Sequence, residues 1–484
     1  MDLGELTGDA TLAGTDISDL AYSSRDVAGG SLFFCVRGFT VDGHDFAADA
    51  VERGAAALVC ERPLGLGVPE LIVEDARAEM PRIAKRFFRD PSSEIDLIGI
   101  TGTNGKTTTS YLVRQILESA GRPCGLIGTV AWVVAGVESP AERTTPEAID
   151  LVHALREMAD SGEKACALEV SSHALELGRA DQLSFAAAIF TNLTQDHLDF
   201  HETMDDYFAA KRLLFAAGPK VSIVNIDDEY GRRLAAEFDA ITFSAEGDPA
   251  ATYRAEEVEF DASGSRFTLV RGEATMPASI ALPGMFNVSN ALAALATVIE
   301  LGIAPERAVE GLARATGAPG RFEPVAGGTE FGVYVDYAHT PDSIENVLRA
   351  AERLPHNRVI SVVGAGGDRD RTKRPLMGAA AAHGSDVVYI TSDNPRSEDP
   401  AAIITEVLAG AESAAEASGA RLEDEVDRRT AIERAIGDAE RGDIVFIFGK
   451  GHEQGQEFAG GRKIPFDDRA VARESLERRG ALPA

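Results

Sequence analysis

The stretch Gly99-Ile-Thr-Gly-Thr-Asn-Gly-Lys-Thr-Thr-Thr109 decides the fold of the central part of this chain. It follows an apolar run at 96–101 that predicts a buried strand, and a helical pattern begins directly after it. A glycine-rich turn between a strand and a helix presents backbone N–H groups and a helix N-terminus to a phosphate group. We therefore predict a phosphate-binding loop in which Lys106 reaches the β- and γ-phosphates of a nucleotide and the Thr107 hydroxyl holds Mg²⁺.

The spacing of this loop departs from the generic Walker pattern. That pattern requires glycine at position 100, where the chain has Ile100, although Gly105, Lys106 and Thr107 stand where a phosphate loop needs them. The alternative interpretation is a glycine-rich turn that binds no nucleotide.

Short apolar runs alternate with alanine-rich helical stretches along nearly the whole chain, which predicts an α/β fold. At about 100 to 200 residues per domain, a chain of 484 residues is long enough for several domains. We predict a small α/β N-terminal domain at 1–94, a central domain with a P-loop ATPase-like, mostly parallel sheet at 95–321, and a C-terminal Rossmann-like α/β domain at 322–484. The central domain should contain a strand-rich insert at 252–281 and a helix at 290–301.

The composition restricts the class of partner. With 47 Lys and Arg against 78 Asp and Glu, the formal net charge is -31, which opposes electrostatic binding to DNA, RNA or an anionic membrane. No apolar stretch approaches the roughly 20 residues that span a bilayer, and the acidic N-terminus does not resemble a secretory signal. We therefore expect a cytoplasmic protein without nucleic-acid or membrane partners. The widely spaced cysteines predict buried free thiols at Cys35, Cys60, Cys124 and Cys166.

Two polar clusters follow predicted strands of the central domain. Glu169-Val-Ser-Ser-His173 follows a strand at 165–168, and Thr191-Asn-Leu-Thr-Gln-Asp-His-Leu-Asp199 follows a strand at 185–190. Because ligands bind at the carboxyl edge of an open parallel sheet, Glu169 and His197 are predicted to converge on the metal near Thr107. The alternative is that each polar residue has a purely structural role.

Lys211 lies in an unusual position, within an apolar helical pattern at 207–215. Burying an ammonium group there is costly without a partner. The pattern alone therefore favours a lysine whose charged end reaches solvent.

In the C-terminal domain, four predicted strands at 332–336, 359–363, 386–391 and 443–448 each end in a polar, glycine-rich loop. The loops supply Arg369 and Arg396, whose planar guanidinium groups suit carboxylates, and Glu453, which suits an ammonium group. A ligand with both groups would fit them. Taken singly, each loop is also compatible with an ordinary turn.

Together these motifs resemble the Mur ligase family, ATP-dependent enzymes that form amide bonds in peptidoglycan synthesis. The loop has the family's Gly-Thr-Asn-Gly-Lys-Thr form, which accounts for its departure from the Walker spacing. The segments Gly-Met-Phe-Asn-Val-Ser-Asn, Ala-Pro-Gly-Arg-Phe-Glu and Asp-Tyr-Ala-His-Thr-Pro are similar to further family motifs. The nucleotide contacts that this resemblance implies are Gly102, Thr103, Asn104, Gly105, Lys106, Thr107, Thr108, Asn287, Asn290, Arg321, Asp336 and His339.

Within the family, the first domain and the Thr144-Thr145 pair resemble the branch that adds the third residue of the peptide. The substrate would be UDP-MurNAc-L-Ala-D-Glu, with its uridine nucleotide on the first domain. The substrate contacts implied in this way are Ser24, Phe39, Thr40, Val41, Thr144, Thr145, Ser171 and Arg179. The chain departs from the expected pattern at Ser23, where Asp is usual, and at Leu177, where relatives can have a polar residue.

Asp393-Asn-Pro-Arg396 is similar to the motif of family members that use meso-diaminopimelate. This amino acid has a distal carboxylate for Arg396 or Arg369 and a distal ammonium for Glu453, whereas lysine would leave the guanidinium groups poorly paired. The implied contacts are Arg369, Asp393, Asn394, Pro395, Arg396, Gly449 and Glu453. The alternatives are the lysine-adding ligase, a folylpolyglutamate-type synthase and a nucleotide-binding regulator that does not catalyse ligation.

The resemblance also implies the reaction and its cofactors. The D-Glu carboxylate attacks the γ-phosphoryl group of ATP, and the amine of the incoming amino acid then displaces phosphate from the acyl phosphate. Two Mg²⁺ ions are expected, and Lys211 is expected to be carbamylated by CO₂ so that it ligates the second Mg²⁺ with Glu169 and His197. We expect the protein to be a monomer.

Overall fold

The computed structural model describes residues 1–38, 41–141, 143–196, 200–261, 264–325, 330–352 and 354–480. The chain forms two compact units. The first comprises Met1–Thr101, Gly121–Ile189 and Ala209–Ser222. The second comprises Gly102–Ala120, Phe190–Phe208 and Ile223–Ala484.

The N-terminal part of the first unit contains a four-stranded parallel sheet in the order β1-β2-β3-β4. Its strands are β1 (Asp19–Ala21), β2 (Ser31–Phe34), β3 (Ala57–Cys60) and β4 (Glu70–Ile72). Its helices are α1 (Leu3–Thr7), α2 (Ala47–Glu52) and α3 (Ala76–Phe87), with 3₁₀ turns at Ala10–Leu12, Ser24–Asp26, Gly43–Phe46 and Pro91–Ser93.

The middle of the chain supplies eleven strands and seven helices among the described residues. The strands are β5 (Asp96–Thr101), β6 (Cys124–Ile127), β7 (Ala131–Val134), β8 (Val137–Pro140), β9 (Ala165–Glu169), β10 (Phe185–Phe190), β11 (Val221–Asn225), β12 (Ile241–Ser244), β13 (Tyr253–Asp261), β14 (Gly264–Arg271) and β15 (Ala274–Ile280). The helices are α4 (Lys106–Ser119), α5 (Ala148–Ser161), α6 (Ser172–Glu176), α7 (Met204–Ala216), α8 (Glu229–Glu237), α9 (Met285–Glu300) and α10 (Pro305–Arg314).

These strands combine a parallel core with antiparallel meanders. In the first unit the order is β10-β5-β9-β6-β7-β8, with β5, β9 and β6 parallel and the β6-β7-β8 meander antiparallel. In the second unit β11, β12 and β13 are parallel, and the predicted strand-rich insert is the antiparallel meander β13-β14-β15. Helix α9 starts earlier than predicted, at Met285.

The C-terminal part of the second unit contains a six-stranded sheet in the order β16-β17-β21-β18-β19-β20. The strands of this region are β16 (Glu323–Pro324), β17 (Gly332–Asp336), β18 (Val359–Ala365), β19 (Val387–Ser392), β20 (Arg421–Glu425), β21 (Ile444–Phe448) and the hairpin β22 (Gly455–Phe458) and β23 (Arg462–Pro465). The helices are α11 (Pro341–Glu352), α12 (Lys373–His383), α13 (Pro400–Ser418), α14 (Arg428–Asp438) and α15 (Asp468–Arg478), with a 3₁₀ turn at Ala459–Gly461.

The sequence of this sheet explains why both of its faces are covered. Along β21, Phe446 and Phe448 pack with α11, α12 and α13, whereas Val445 and Ile447 pack with α14 and α15. Alternate residues of a strand point to opposite faces, so a fully apolar strand such as β21 must be buried on both. The four strands predicted in this domain, β17, β21, β18 and β19, are adjacent and parallel, so their carboxyl ends and the loops that follow them lie at one edge.

All four cysteines are buried free thiols, as predicted. Among the described residues, no helix has the length and apolar character that a bilayer span requires.

Candidate active site

The loop after β5 has the backbone geometry of a close turn at two glycines. Gly102 has a φ of +147°, and a Cβ atom there would lie 1.9 Å from Thr191 Oγ1. Gly105 has a φ of +86°, and a Cβ atom there would lie 2.4 Å from Asn290 Oδ1. Only glycine fits such positions without strain or collision, so the loop can pack tightly at the start of α4.

The segment after β10 holds this loop from one side. Asn192 Oδ1 accepts a hydrogen bond of 2.9 Å from Asn104 N, and the Asn104 carbonyl accepts one of 2.6 Å from Thr191 Oγ1. Thr103 Oγ1 donates to the Thr194 carbonyl at 3.1 Å and accepts from Thr194 N at 3.0 Å. Thr191, Asn192 and Thr194 of the polar cluster after β10 therefore support the loop.

Three charged or hydroxyl groups converge at the start of α4. The Lys106 ammonium donates to the Gly102 and Thr103 carbonyls, each at 2.9 Å, so it lies over the loop. Arg321 Nη2 donates to Thr107 Oγ1 at 3.3 Å. Two cations thus stand at the loop and the first turn of a helix, where phosphate binding is favoured.

A cavity of about 550 Å³ opens beside the loop within the second unit. Eight of the predicted nucleotide contacts line it, namely Asn104, Gly105, Thr108, Asn287, Asn290, Arg321, Asp336 and His339. The other predicted nucleotide contacts, Gly102, Thr103, Lys106 and Thr107, belong to the same loop and helix start. The cavity is large enough for a nucleotide.

The electrostatics of the cavity wall are set by burial. Burial raises the pKa of Asp336, against the effect of Arg321, and its carboxylate accepts from Phe322 N at 2.6 Å. Burial lowers the pKa of His339 to about 4, with Lys373 acting in the same direction. His339 is therefore neutral at neutral pH and contributes no positive charge to the cavity.

In the first unit, the end of β9 gathers the residues predicted to contact the dipeptide. The carboxylate of Glu169 is fully buried and accepts from Thr129 N at 3.0 Å and Thr129 Oγ1 at 2.9 Å. Thr129 Oγ1 lies 3.1 Å from Thr144 Oγ1. Thr145 Oγ1 donates to the Glu169 carbonyl at 2.8 Å and accepts from Ser171 N at 3.1 Å. These residues form one connected polar network.

A buried carboxylate fixes the arginine of this network. Arg179 donates to the Thr145 carbonyl at 3.2 Å and lies 2.9 Å from Glu147, which is 4% exposed. Glu147 also pairs with Arg77 at 2.8 Å and with Arg143 at 3.0 Å. Three guanidinium groups around one carboxylate leave a local excess of positive charge, which suits an anionic substrate.

Two of the predicted metal ligands, Thr107 and Glu169, supply hard oxygen donors. Thr107 is 4% exposed, Glu169 is 0% exposed and Lys211 on α7 is 1% exposed. A hydroxyl and a carboxylate are donors that Mg²⁺ prefers. Among the described residues no group of three or more His, Cys, Asp or Glu forms a complete metal site, and the predicted ligand His197 lies outside the described residues.

At the carboxyl edge of the C-terminal sheet, Arg396 has a φ of +50° and its guanidinium is held on both sides. Nη1 donates to the Gly367 carbonyl at 2.7 Å, and Nε lies 3.2 Å from Glu457. Arg369 is exposed, and its Nη1 donates to the carbonyl of Asp368 at 2.9 Å. Both predicted carboxylate-binding arginines thus belong to adjacent loops.

Asp393, Asn394 and Glu453 meet at the same edge around the ammonium group of Lys450. Lys450 Nζ lies 3.3 Å from Asp393 Oδ1, 2.8 Å from Asn394 Oδ1 and 3.0 Å from Glu453 Oε2. Burial opposes the ionisation of Asp393, but Lys450 and Arg428 outweigh it and lower its pKa. Gly449 has a φ of +113°, and a Cβ atom there would lie 2.7 Å from Asp393 Oδ2, so this close packing requires glycine.

Comparison with known proteins agrees with this arrangement. Three family models match consecutive parts of the chain: "Mur ligase family, catalytic domain" at residues 16–93, "Mur ligase middle domain" at 100–298 and "Mur ligase, glutamate ligase domain" at 320–451. A protein of Geobacillus thermodenitrificans named UDP-N-acetylmuramoyl-L-alanyl-D-glutamate--2,6-diaminopimelate ligase is 46% identical over 96% of this chain and 96% of its own length. The chain belongs to the Mur ligase family.

Other Mur ligases support this result in sequence and in structure. A Streptomyces coelicolor protein of the same name is 44% identical over 98% of this chain and 96% of its own length. A solved UDP-N-acetylmuramoyl-L-alanyl-D-glutamate--2,6-diaminopimelate ligase superposes with a TM-score of 0.72 at 33% identity, covering 99% of both chains. The MurF ligase of Thermotoga maritima in complex with ADP shares the fold, with a TM-score of 0.65 at 19% identity over 96% of this chain and 99% of that chain. The predicted α/β fold with three domains is thereby confirmed.

The residues predicted to contact the uridine nucleotide differ in their exposure in this Mur ligase. Phe39 and Thr40 lie outside the described residues. Ser24 is buried in a 3₁₀ turn, and Val41 is 57% exposed. The unexpected Ser23 caps that turn, since its hydroxyl accepts from Arg25 N at 3.3 Å, as an Asp carboxylate at this position would.

Sequence reasoning missed several residues that organise the site. Lys450 stands inside the recognised segment Gly449-Lys-Gly-His-Glu453, which was the available signal. Tyr337 lies beneath Arg321, whose guanidinium carbon is 4.3 Å from the ring centroid, and its signal was the segment Asp-Tyr-Ala-His-Thr-Pro. Sequence reasoning also missed Glu147 and Arg428, whose partners Arg77 and Asp468 lie far away in sequence.

Proposed function

We propose that this Mur ligase uses ATP to join meso-2,6-diaminopimelate to the D-Glu residue of UDP-MurNAc-L-Ala-D-Glu in peptidoglycan synthesis. The D-Glu carboxylate attacks the γ-phosphoryl group, ADP leaves, and the amine then displaces phosphate from the acyl phosphate. Relatives that cover almost the whole chain have names that state this substrate pair.

The observation that carries the choice of amino acid is the arrangement of Arg396 beside the cluster of Asn394 and Glu453. At one sheet edge, the Arg396 guanidinium matches the distal carboxylate of meso-diaminopimelate. The Glu453 carboxylate, which has an oxygen left to accept hydrogen bonds, matches its distal ammonium group. Lysine offers only the ammonium and has no distal carboxylate for the Arg396 guanidinium. Arg369, Asp393, Pro395 and Gly449 complete this proposed site.

On the nucleotide side, the chain offers donors that point to phosphate binding. Lys106 is held over the loop carbonyls, and its charge there favours the β- and γ-phosphates of a bound nucleotide. The Nε atom of Arg321 is buried and has no hydrogen-bond partner within the part of the chain that the structure describes. This donor fits an anionic ligand of the cavity, and we assign the cavity to ATP.

Mg²⁺ fits the donors present, and we propose that Thr107, Glu169, His197 and a carbamylated Lys211 hold two ions. When bound, Mg²⁺ neutralises charge on the transferred phosphoryl group. Carbamylation joins the Lys211 nitrogen to CO₂, and two protons leave in going from the ammonium group to the carbamate, which replaces a buried cation by an anion. This explains how a lysine that is 1% exposed can serve as a ligand.

On the dipeptide side, the network at the end of β9 would orient the attacking carboxylate. Thr144, Thr145, Ser171 and Arg179 present hydroxyl groups and a guanidinium group to an anionic peptide. Ser24, Phe39, Thr40 and Val41 would contact the uridine nucleotide.

We further propose that the three tasks divide at the predicted boundaries, with the UDP-linked substrate on 1–94, ATP on 95–321 and the amino acid on 322–484. The family-model matches at 16–93, 100–298 and 320–451 support this division. Since ATP and UDP-linked sugars are cytoplasmic metabolites, we place the reaction in the cytoplasm and expect a monomer to carry it out.

Phosphate release tests the proposal directly. Wild-type protein is assayed with Mg²⁺, ATP and UDP-MurNAc-L-Ala-D-Glu, with meso-diaminopimelate or L-lysine as the acceptor. We expect turnover with meso-diaminopimelate and its loss in Arg396→Ala, while Arg462→Ala, an exposed arginine on β23, keeps wild-type turnover.

Other outcomes separate the alternatives. Equal or faster turnover with lysine would identify a lysine-adding ligase and contradict the role given to Arg396. ATP binding without turnover with either acceptor would identify a regulator.

For the modification, ¹³C-labelled bicarbonate should give a carbamate NMR resonance that is lost in Lys211→Gln, and its absence in the wild type contradicts carbamylation.

A further inference from the structure

The ammonium group of Lys450 is the centre of the amino-acid site, although it is completely buried. Its side chain is 0% exposed. Burial of a lysine without anionic partners is costly, so its contacts with Asp393 at 3.3 Å and Glu453 at 3.0 Å are needed to hold it there. The carboxylate of Glu453, in contrast, is 31% exposed and reaches the surface of the site.

These contacts fix the orientation of the Asn394 amide. Asn394 Oδ1 accepts from Lys450 Nζ at 2.8 Å and from Glu457 N at 3.0 Å, and neither of these groups is an acceptor. Nδ2 must therefore be the end that faces Glu453, to whose Oε2 it donates at 2.8 Å. Because Oε2 of Glu453 receives both Lys450 and Asn394, Oε1 is the oxygen that remains for a ligand.

The net charge of the cluster also favours an ammonium group as the ligand of Glu453. Asp393 and Glu453 carry two negative charges and Lys450 carries one positive charge, so the three groups have a net charge of -1. One further ammonium group balances this charge. Without Lys450, two carboxylates would share the site and Asn394 would lose one of the two donors that set its amide orientation.

A buried ion pair also fixes the two loops that contain Asp393 and Lys450. Arg428 pairs with Asp468 at 2.6 Å, and both side chains are 0% exposed. Arg428 Nη2 donates to the Phe448 carbonyl at 2.8 Å, and Nη1 donates to the Ser392 carbonyl at 3.4 Å. These carbonyls end β21 and β19, so the ion pair holds the two strands from which Lys450 and Asp393 extend.

We propose that Lys450 is a positioning residue for recognition of the incoming amino acid, holding the Glu453 carboxylate and the Asn394 amide so that Glu453 receives the distal ammonium group. The inference rests on the proposed function for the identity of this amino acid. Lys450 acts through its two neighbours and does not itself touch the substrate.

The test compares Lys450→Met with the control Lys463→Met, an exposed lysine on the adjacent hairpin. Loss of a charged hydrogen bond is worth about 1.5 to 3 kcal/mol, so we expect the KM for meso-diaminopimelate to rise about 10- to 100-fold in Lys450→Met. The Kd for ATP, measured by calorimetry, should stay within about threefold, because the cavity is lined by other residues. Lys463→Met should match the wild type in both measurements.

A double-mutant cycle distinguishes positioning from a general structural role. If Lys450 acts through Glu453, then Lys450→Met in a Glu453→Gln background should add less than about threefold to the KM, whereas independent effects would multiply. If Lys450→Met does not fold, Asn394→Asp decides, because it keeps an acceptor for Lys450 but repels Glu453, and its KM should rise.

An unchanged KM in a folded Lys450→Met, multiplicative effects in the cycle, or an unchanged KM in Asn394→Asp would overturn the inference alone. Wild-type protein without turnover on meso-diaminopimelate would overturn the proposed function and this inference with it. The two failures are therefore separate observations.

Discussion

Replacing Gly105 by alanine should remove ATP binding for a reason that can be worked out from the structure. The backbone φ of +86° costs an L-residue about 1 to 2 kcal/mol. In addition, the new Cβ atom would lie 2.4 Å from Asn290 Oδ1, so the Asn290 side chain must move by about 1 Å to reach the ordinary contact distance of 3.4 Å. That amide is buried and bonded to Thr109 at 3.3 Å and to Asn287 at 3.4 Å. Losing these partners costs about 1 to 3 kcal/mol more.

The chain provides a matched control in Gly121, just after the same helix. Its φ of +74° imposes a similar backbone strain, but a Cβ atom there meets nothing within 4 Å. We expect both alanine variants to lower the thermal melting midpoint, and only Gly105→Ala to raise the Kd for ATP, by more than about tenfold in calorimetry. A Kd within about threefold of wild type for Gly105→Ala, or an equal loss in Gly121→Ala, would falsify the reasoning.

Three further predictions concern buried charge. In urea unfolding, Arg428→Met should lose about 3 to 5 kcal/mol because it leaves a buried carboxylate unpaired, whereas Arg429→Met, at exposed ion pairs, should lose less than about 1 kcal/mol. His339 has a pKa of about 4 in the folded protein and 6.5 as its ordinary value, so the unfolded chain binds more protons between these pH values and stability falls as pH falls. His339→Gln should remove up to about 2 kcal/mol of this loss, measured by urea unfolding at pH 7 and pH 5. Glu147→Gln should raise the KM for UDP-MurNAc-L-Ala-D-Glu by about tenfold and leave the Kd for ATP unchanged, since Arg179 loses its charged partner; equal changes in both would contradict this.

Local patterns were sufficient to predict most of the fold. The strand at 185–190 and the glycine-rich loop after 96–101 were predicted correctly, because a fully apolar run bounded by turn residues has few other solutions. Helix boundaries were predicted less accurately where helical propensity continues through a loop. Helix α9 begins at Met285 because Gly284, with a φ of +104°, ends the preceding segment, and the sequence suggested a start several residues later.

The parts of the site that lie within one motif were predicted. Contacts between residues that are distant in sequence were missed. The loop residues at 102–108 share one turn, so their proximity follows from the chain. Lys450 meets Asn394 across 56 residues, and Arg77 meets Glu147 across 70. Such pairs depend on which strands become neighbours in the sheet, and periodicity does not determine that order.

A chain with a net charge of -31 is expected to repel the anionic ligands of a Mur ligase at long range. Individual cations near the ligands oppose this repulsion, and each is fixed by neighbouring acceptors. Lys106 is held by two loop carbonyls, Arg179 by Glu147 and Arg396 by the Gly367 carbonyl. Because each cation is held by short contacts, its position is set before the ligand arrives, and little side-chain entropy is lost on binding. Recognition therefore depends on geometry at a few positions rather than on the field of the whole protein. It follows that neutralising exposed acidic residues should change ligand affinity far less than moving any one of these cations by an ångström.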